Sequence, residues 1–321
     1  PLYSGTLGEY NSWRDLGQEL ERLGCDGIEG VWGGEDLPKD LPAELILGYH
    51  LIFYPDWLDF YRDDRAALKQ KFGSLEAVAS FYGGLGPDTL LEQYRADLRR
   101  AVNLGARYVV FHVSDVSLEE GYTYRWLPTN QEVIDAAVEV VNLILGEERW
   151  PFEFLVENQW WPGFTFTEPE ETARLLEGIR FAGKGILLDT GHLMNACTEL
   201  KTEAEGADYI RSMLNRHGSL AKWVRGVHLH QSLSGAYVKA HTGSLPAGLP
   251  EDYMERFGVS YQHILQIDQH RPWTDPAILP VLEQIEPRYL THELSSRGRM
   301  ARAEAVSIQT RLLRQGGRMR V

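Results

Sequence analysis

Six residues able to bind a metal ion or carry a proton stand late in short apolar runs. They are His50 in GYHLIF, His112 in VVFHVSD, Glu157 in FLVENQW, Asp189 in ILLDTGH, His228 in VHLHQS and Glu293 in LTHEL. Carboxylates combined with imidazole nitrogen are the donors that a hard or borderline divalent cation takes. They neutralise its charge and leave positions for water or substrate. Three more residues extend the set: His192, three positions after Asp189, and Asp268 with His270 beyond the VHLH run. One buried histidine or carboxylate is usually a hydrogen-bonded structural group. Several gathered in one place without a cation would carry a heavy desolvation cost, so the coincidence points to a metal. His230, His292 and His263 read as out of phase with the ligand positions, as supporting or packing residues, with His230 able to exchange roles with His228. Glu29 points inward by alternation if Ile28 faces outward, either behind the ligands or in a core ion pair.

Convergence of those residues requires a frame, and the apolar pattern supplies one. Runs at Leu2–Leu7, Gly27–Trp32, Leu45–Phe53, Tyr108–Val113, Phe152–Glu157, Gly185–Asp189, Val224–His230 and Tyr289–Glu293 alternate with helical patterns. Several are apolar on both faces, as strands buried in a parallel sheet must be. Eight such units predict a single (β/α)8 barrel spanning residues 1–321, with the candidate ligands at the carboxy-terminal strand ends, where barrel sites form. Helix starts fit the alternation: Thr129 with Glu132 and Thr167 with Glu170 read as capping boxes, and Asp275–Pro276 as an N-cap followed by proline. No GxGxxG follows the first strands, which argues against dinucleotide binding. Residues 54–107, after the third strand, read as extra helices. Residues 231–262, after the seventh, are rich in Ser, Gly and Pro and read as a long loop serving as a lid or binding loop.

Composition narrows the partners. Hydrophobic residues make up 43% and charged residues 24% of the 321, as in a globular protein with a large core. The net charge of −14, with one basic cluster, near the carboxy terminus from Arg297 to Arg320, argues against a nucleic-acid partner, since phosphate binding needs a basic face. No apolar run approaches the ~20 residues of a membrane span. Two cysteines, Cys25 and Cys197, form no CxxC pair and fit free thiols in a reducing compartment, so the expected location is cytoplasmic. A homo-oligomer is compatible with the arginine-bearing tail.

The ordered set VVFH, FLVEN, LLDTGH, VHLH and a closing THE resembles the xylose-isomerase-like TIM-barrel superfamily over residues 1–315. In its sugar-epimerase branch the resemblance implies one divalent metal (Mn2+, Mg2+, Co2+ or Zn2+) held by Glu157, Asp189, His228 and Glu293. The two glutamates then pass a proton on and off the carbon beside a polarised carbonyl. The implied activity is a metal-dependent isomerase or epimerase of a small sugar or sugar-like carbonyl compound. The endonuclease IV branch implies up to three zinc ions, adding His50, His112, His192, Asp268 and His270, and metal-assisted phosphodiester hydrolysis. A third alternative is a metal-binding barrel without turnover. The epimerases carry an arginine soon after the strand-seven histidine; Leu229–Gly235 has none, and the next is Arg271. Basic phosphate-gripping loops are also missing. Instead Trp126, Trp160 and Trp161 stand near strand ends, as an aromatic wall or as cover for the barrel mouth. Expected substrate contacts are Trp126, Trp160, His192 and Arg271.

Overall fold

A computed structural model describes residues 1–32 and 41–317. Its strands are β1 (Leu2–Tyr3), β2 (Ile28–Val31), β3 (Ile46–His50), β4 (Tyr108–His112), β5 (Glu153–Glu157), β6 (Lys184–Asp189), β7 (Val224–Leu229) and β8 (Tyr289–His292). All pair in parallel with their sequence neighbours, in the order β1 to β8. The eight predicted runs are therefore the eight strands of a curled (β/α)8 sheet. No β1–β8 ladder exists among the described residues. Side chains meet across the interior instead: the Tyr108 hydroxyl lies 2.8 Å from Glu29 Oε2 and 2.9 Å from Thr291 Oγ1, joining β2, β4 and β8.

Alternation sorts each strand's side chains. Val109, Phe111, Phe154, Val156, Ile186, Leu188, Val227 and Leu229 pack outward into the large core shared with the helices. Their neighbours Tyr108, Val110, Leu155 and Leu187 fill the interior, with the Tyr289 ring stacked 4.3 Å from Tyr108. The same two-residue period aims His50, His112, Glu157, Asp189 and His228 inward at the carboxy-terminal rim. Each is thereby positioned by a strand whose opposite face is anchored in the core.

Several local expectations need correction. The first run is a strand only at Leu2–Tyr3; Ser4–Glu9, with Gly5 and Gly8, turns into a 3-10 helix, because Gly and Ser fit a pleated strand poorly. Thr129 and Glu132 form the expected capping box of the helix Asn130–Leu145. Thr167 and Glu170 form none. Pro169 takes the first helical position, which makes Glu168 the N-cap, and Thr167 Oγ1 pairs with Thr165 Oγ1 at 2.7 Å. Asp275 accepts from the Ala277 amide at 2.9 Å within a turn, and the helix begins at Ile278. The extra helices after β3 are Leu58–Tyr61, Arg65–Phe72, Leu75–Tyr82 and Pro87–Asn103. The long connection after β7 is largely helical, at Gly235–His241 and Tyr253–Ile267. Gly235, which suggested a loop, sits against the Thr198 carbonyl oxygen, 2.0 Å from where a Cβ would stand; it marks close packing. Among the described residues no helix is long and apolar enough to cross a membrane.

Candidate metal centre

The nine candidate ligands, joined by His230, meet at the carboxy-terminal end of the sheet and fall into three groups, each with donor atoms within 4.8 Å of one another. The first comprises His50, His112 and Glu157. Register places His112 opposite Glu157, and the Nε2 atoms of His50 and His112 lie 3.3 and 3.0 Å from Glu157 Oε2. The second comprises Glu157, Asp189, His228 and Glu293. His228 Nδ1 is its hub, at 3.2 Å from Glu157 Oε1, 2.8 Å from Glu293 Oε2 and 3.8 Å from Asp189 Oδ2. The third comprises His192, His230, Asp268 and His270. In it, His192 Nε2 and His270 Nε2 approach Asp268 Oδ2 at 3.3 and 3.1 Å.

These groups adjoin one another. Glu157 turns one oxygen to the first and the other to the second. His230 Nε2, 2.9 Å from Asp189 Oδ2, joins the second to the third. His230 was expected to be out of phase; this is corrected by the strand period, since residues 228 and 230 share a face. Room for its ring comes from Gly191 of the DTGH motif, where a Cβ would fall 2.0 Å from His230 Cε1. His292 does face outward, with Nδ1 2.8 Å from Gln309 Nε2, and His263 packs between the Tyr237 hydroxyl and the Gly121 carbonyl.

Partners behind the rings set which nitrogen faces inward. His50 Nδ1 donates to the Leu51 carbonyl at 2.9 Å, and His192 Nδ1 to the Asn158 carbonyl at 3.0 Å, each leaving Nε2 as a lone pair. His228 does the reverse: Nε2 donates to Glu29 Oε2 at 3.0 Å, leaving Nδ1 for the hub. Metal-binding histidines are held in this manner by an outer carboxylate or carbonyl. Glu29 thus stands behind His228, a role its inward phase had left open. Asn158 was missed, although it directly follows Glu157 in FLVENQW; it brackets the Asp189 backbone, donating to its carbonyl at 3.0 Å and accepting from its amide at 2.8 Å. His270 owes its direction to a left-handed backbone, φ 46°.

A bound cation would offset the burial of the charged groups gathered here. Glu157, Asp189 and His228 are fully buried. Burial, then the charges of Glu293 and Glu157, push the Asp189 carboxyl well above its ordinary range despite His192. Burial opposes ionisation of Glu157 as well, but His112 and His228 hold it well below the usual range. Burial brings His230 down to about 4, a neutral imidazole with a free lone pair. Four buried donor atoms have no hydrogen-bond partner: Glu157 Oε2, Glu293 Oε2, Asp268 Oδ1 and His230 Nδ1. Orphaned atoms of this kind are rare unless something fills the space between them. Each group offers donors that could hold a divalent cation.

Beside the ligands opens a cavity of about 440 Å3. Its wall includes His50, His112, His192, Asp268, His270 and Glu293, and elsewhere is largely aromatic or aliphatic. The helix Tyr253–Ile267 contributes Phe257, Tyr261 and Ile264 and then delivers Asp268 at its end. Of the expected substrate contacts, Trp160 and His192 line the cavity, their rings 5.1 Å apart. Trp126 packs on Tyr124 and Arg271 is exposed beside Gln231; neither is among the lining residues.

The family model described as xylose isomerase-like TIM barrel matches residues 18–286, most of the chain. The protein belongs to the xylose isomerase-like TIM-barrel family. A comparison with curated proteins gives no match. Similar solved structures include a D-tagatose 3-epimerase-like protein (15% identity, covering 96% of this chain and 95% of that one, TM-score 0.52). AsfvAP:AG (13%, 97% and 93%, 0.53) and mannonate dehydratase from Streptococcus suis serotype 2 (14%, 95% and 91%, 0.51) are comparable. At these identities the likeness is one of fold. Family members of this architecture are mostly enzymes, and in this member three adjoining groups of buried ligands could bind metal.

Proposed function

We propose that this xylose isomerase-like barrel is a divalent-metal-dependent hydrolase of a small phosphoester. The observation that carries the reading is the adjoining arrangement of three donor groups, with Glu157 shared by two of them and His230 bridging to the third. An enolising isomerase needs one such group; a phosphoester, whose oxygens gather charge in the transition state, uses several. When bound, divalent cations supply that positive charge and ease the ionisation of water. The groups named above hold the donors in place: the Glu29 carboxylate and the backbone carbonyls of Leu51 and Asn158 fix the imidazole tautomers, and the Asn158 side chain fixes the Asp189 backbone. In the reaction the oxygen of water bonds to phosphorus, the ester P–O bond breaks, and a proton of the water ends on the leaving oxygen. With its acidic charge balance and no Lys or Arg among the described cavity-lining residues, a small substrate fits better than nucleic acid.

A second reading, the isomerase or epimerase, is favoured by one feature. Glu157 and Glu293 approach His228 Nδ1 from two strands, at 3.2 and 2.8 Å, so they flank a common point as an acid/base pair would. Assaying the metal-loaded protein separates the two. Release of p-nitrophenolate from bis(p-nitrophenyl) phosphate, abolished by a chelator and restored by zinc or manganese, is the expected result. Ketose epimerisation without any phosphoester cleavage would reject the hydrolase.

A further inference from the structure

The cavity wall away from the ligands carries information about the substrate that the metal groups do not. Phe53, Tyr54, Phe81, Trp160, Phe257 and Ile264 contribute to it, and no Lys or Arg occurs among the described lining residues. Ionic recognition of the substrate is therefore confined to the end where the histidines and carboxylates stand. A polyol would need polar partners around every hydroxyl, since each one buried without a hydrogen bond is costly, and the polar lining beyond the ligands, Ser114, Ser117, Gln159, Ser260 and His263, is outnumbered by aromatic and aliphatic side chains. A chain of further phosphates would need cations along the wall. Aromatic faces instead suit a flat, uncharged ring system, and about 440 Å3 is within the range of pockets that enclose ligands of that size. Two walls come from helices in the connections between strands, Leu118–Thr123 and Tyr253–Ile267.

Resting on the hydrolase reading, we propose that the organic part of the substrate is an uncharged planar aromatic group, seated in this chamber and esterified to the phosphate that meets the metal groups. The chamber selects for apolar area, and the donor groups select for the phosphate.

Three diesters sharing a p-nitrophenolate leaving group test this on the metal-loaded protein: methyl, 2-naphthylmethyl and a methyl riboside 5′-ester. Burying the naphthyl ring is expected to raise kcat/KM about 100-fold over the methyl diester, at the usual worth of apolar area. The riboside is expected to stay within about tenfold of methyl. Equal values for all three would overturn the inference while leaving the hydrolase intact. Should none be cleaved, the hydrolase reading fails, and calorimetry with 2-naphthylmethylphosphonate against methylphosphonate decides the chamber separately: about 100-fold tighter binding supports it and equal binding overturns it. Ile264→Asn, placing an amide in the wall, is expected to lower the naphthylmethyl-to-methyl ratio at least tenfold. A ratio within one variant is independent of the fraction folded, and an unchanged ratio would count against the chamber.

Discussion

Replacing Glu29 by Gln probes how the centre is supported without touching any of its nine expected ligands. Glu29 is almost fully buried, and its Oε2 lies 3.0 Å from His228 Nε2, 2.8 Å from the Tyr108 hydroxyl and 3.4 Å from Thr291 Oγ1. Burial raises its pKa, but the His228 charge beside it outweighs that, and the group is held below the ordinary glutamate range. The ionised carboxylate accepts from Nε2 and so orients the ring with Nδ1 toward Glu157, Asp189 and Glu293; with a cation bound at Nδ1, this bond keeps the remaining ring proton on Nε2. Gln keeps the volume but removes the charge and brings an N–H2 that competes to donate. Loss of such an outer partner typically weakens metal binding about 10- to 100-fold, or about 1.4–2.7 kcal/mol. Competition against a chromophoric chelator would measure it, with circular dichroism confirming the fold. The weakening should fall on the tightest ion sharing His228, with the others less affected. Unchanged affinity in a folded Glu29→Gln protein would refute the supporting role and leave Glu29 as an interior packing group.

Other perturbations reach different parts of the structure. Gly191→Ala brings a Cβ to within 2.0 Å of the His230 ring, whose backbone carbonyl is tied down by Thr190 Oγ1 and Trp273 Nε1 at 2.6 and 2.8 Å. A stability loss of about 1–3 kcal/mol by urea titration and one metal ion fewer per chain are expected, and wild-type metal content would contradict the packing argument. Glu157→Gln withdraws the carboxylate shared by two groups, so metal content by mass spectrometry should fall by more than one ion. Asp115 accepts from the amides of Trp57 and Leu58 at 2.7 and 2.8 Å, and burial, reinforced by the Asp56 charge, pushes it up to about 8. Its folded pKa lies above that of the unfolded chain, about 3.9, so its stabilising contribution is complete below pH ~4 and is lost as pH rises through 8. Asp115→Asn keeps the accepting oxygen and should flatten the fall in Tm between pH 5 and 8.5; an unaltered slope would exclude Asp115 as its source. Thr129→Ala, removing one half of a formed capping box, should cost about 1 kcal/mol.

Much of this architecture could be read from residue order because burial on both faces leaves a plain mark. The runs around VVFH, FLVE and ILLD are strands whose ends carry ligands, and the two-residue period fixes which side chains turn inward. His230 lies two residues after His228 and must share its face, so its expected out-of-phase place, as a supporting or packing residue able to exchange roles with His228, gives way to an inward one. Glu29 and Asn158 were harder, since their roles depend on which ring or backbone group lies opposite, across strands far apart in sequence. Helix starts were legible where a single device acted, as at Thr129, and misread where Pro169 set the boundary against the Thr167 pattern. The stretch after β7 looked like a loop from its Gly, Ser and Pro content. Tertiary contact made it two helices, Gly235 being required by the Thr198 carbonyl and the second helix being held by its aromatic face over the cavity. Trp126 was expected near the substrate from its place close to a strand end and Arg271 as the next arginine after the strand-seven histidine; neither position in sequence determines whether a side chain turns toward the cavity.

Three adjoining groups, rather than a single one, are proposed to bind metal. Elemental analysis of the protein saturated with zinc or manganese and freed of excess ion, paired with anomalous diffraction at the metal edge, measures it most directly. Three ions per chain, sharing Glu157 between two and lying beside His230 at the third, is the expected result. A single ion held by Glu157, Asp189, His228 and Glu293, with His50, His112, His192, Asp268 and His270 left without metal at saturation, would contradict it and restore the isomerase reading.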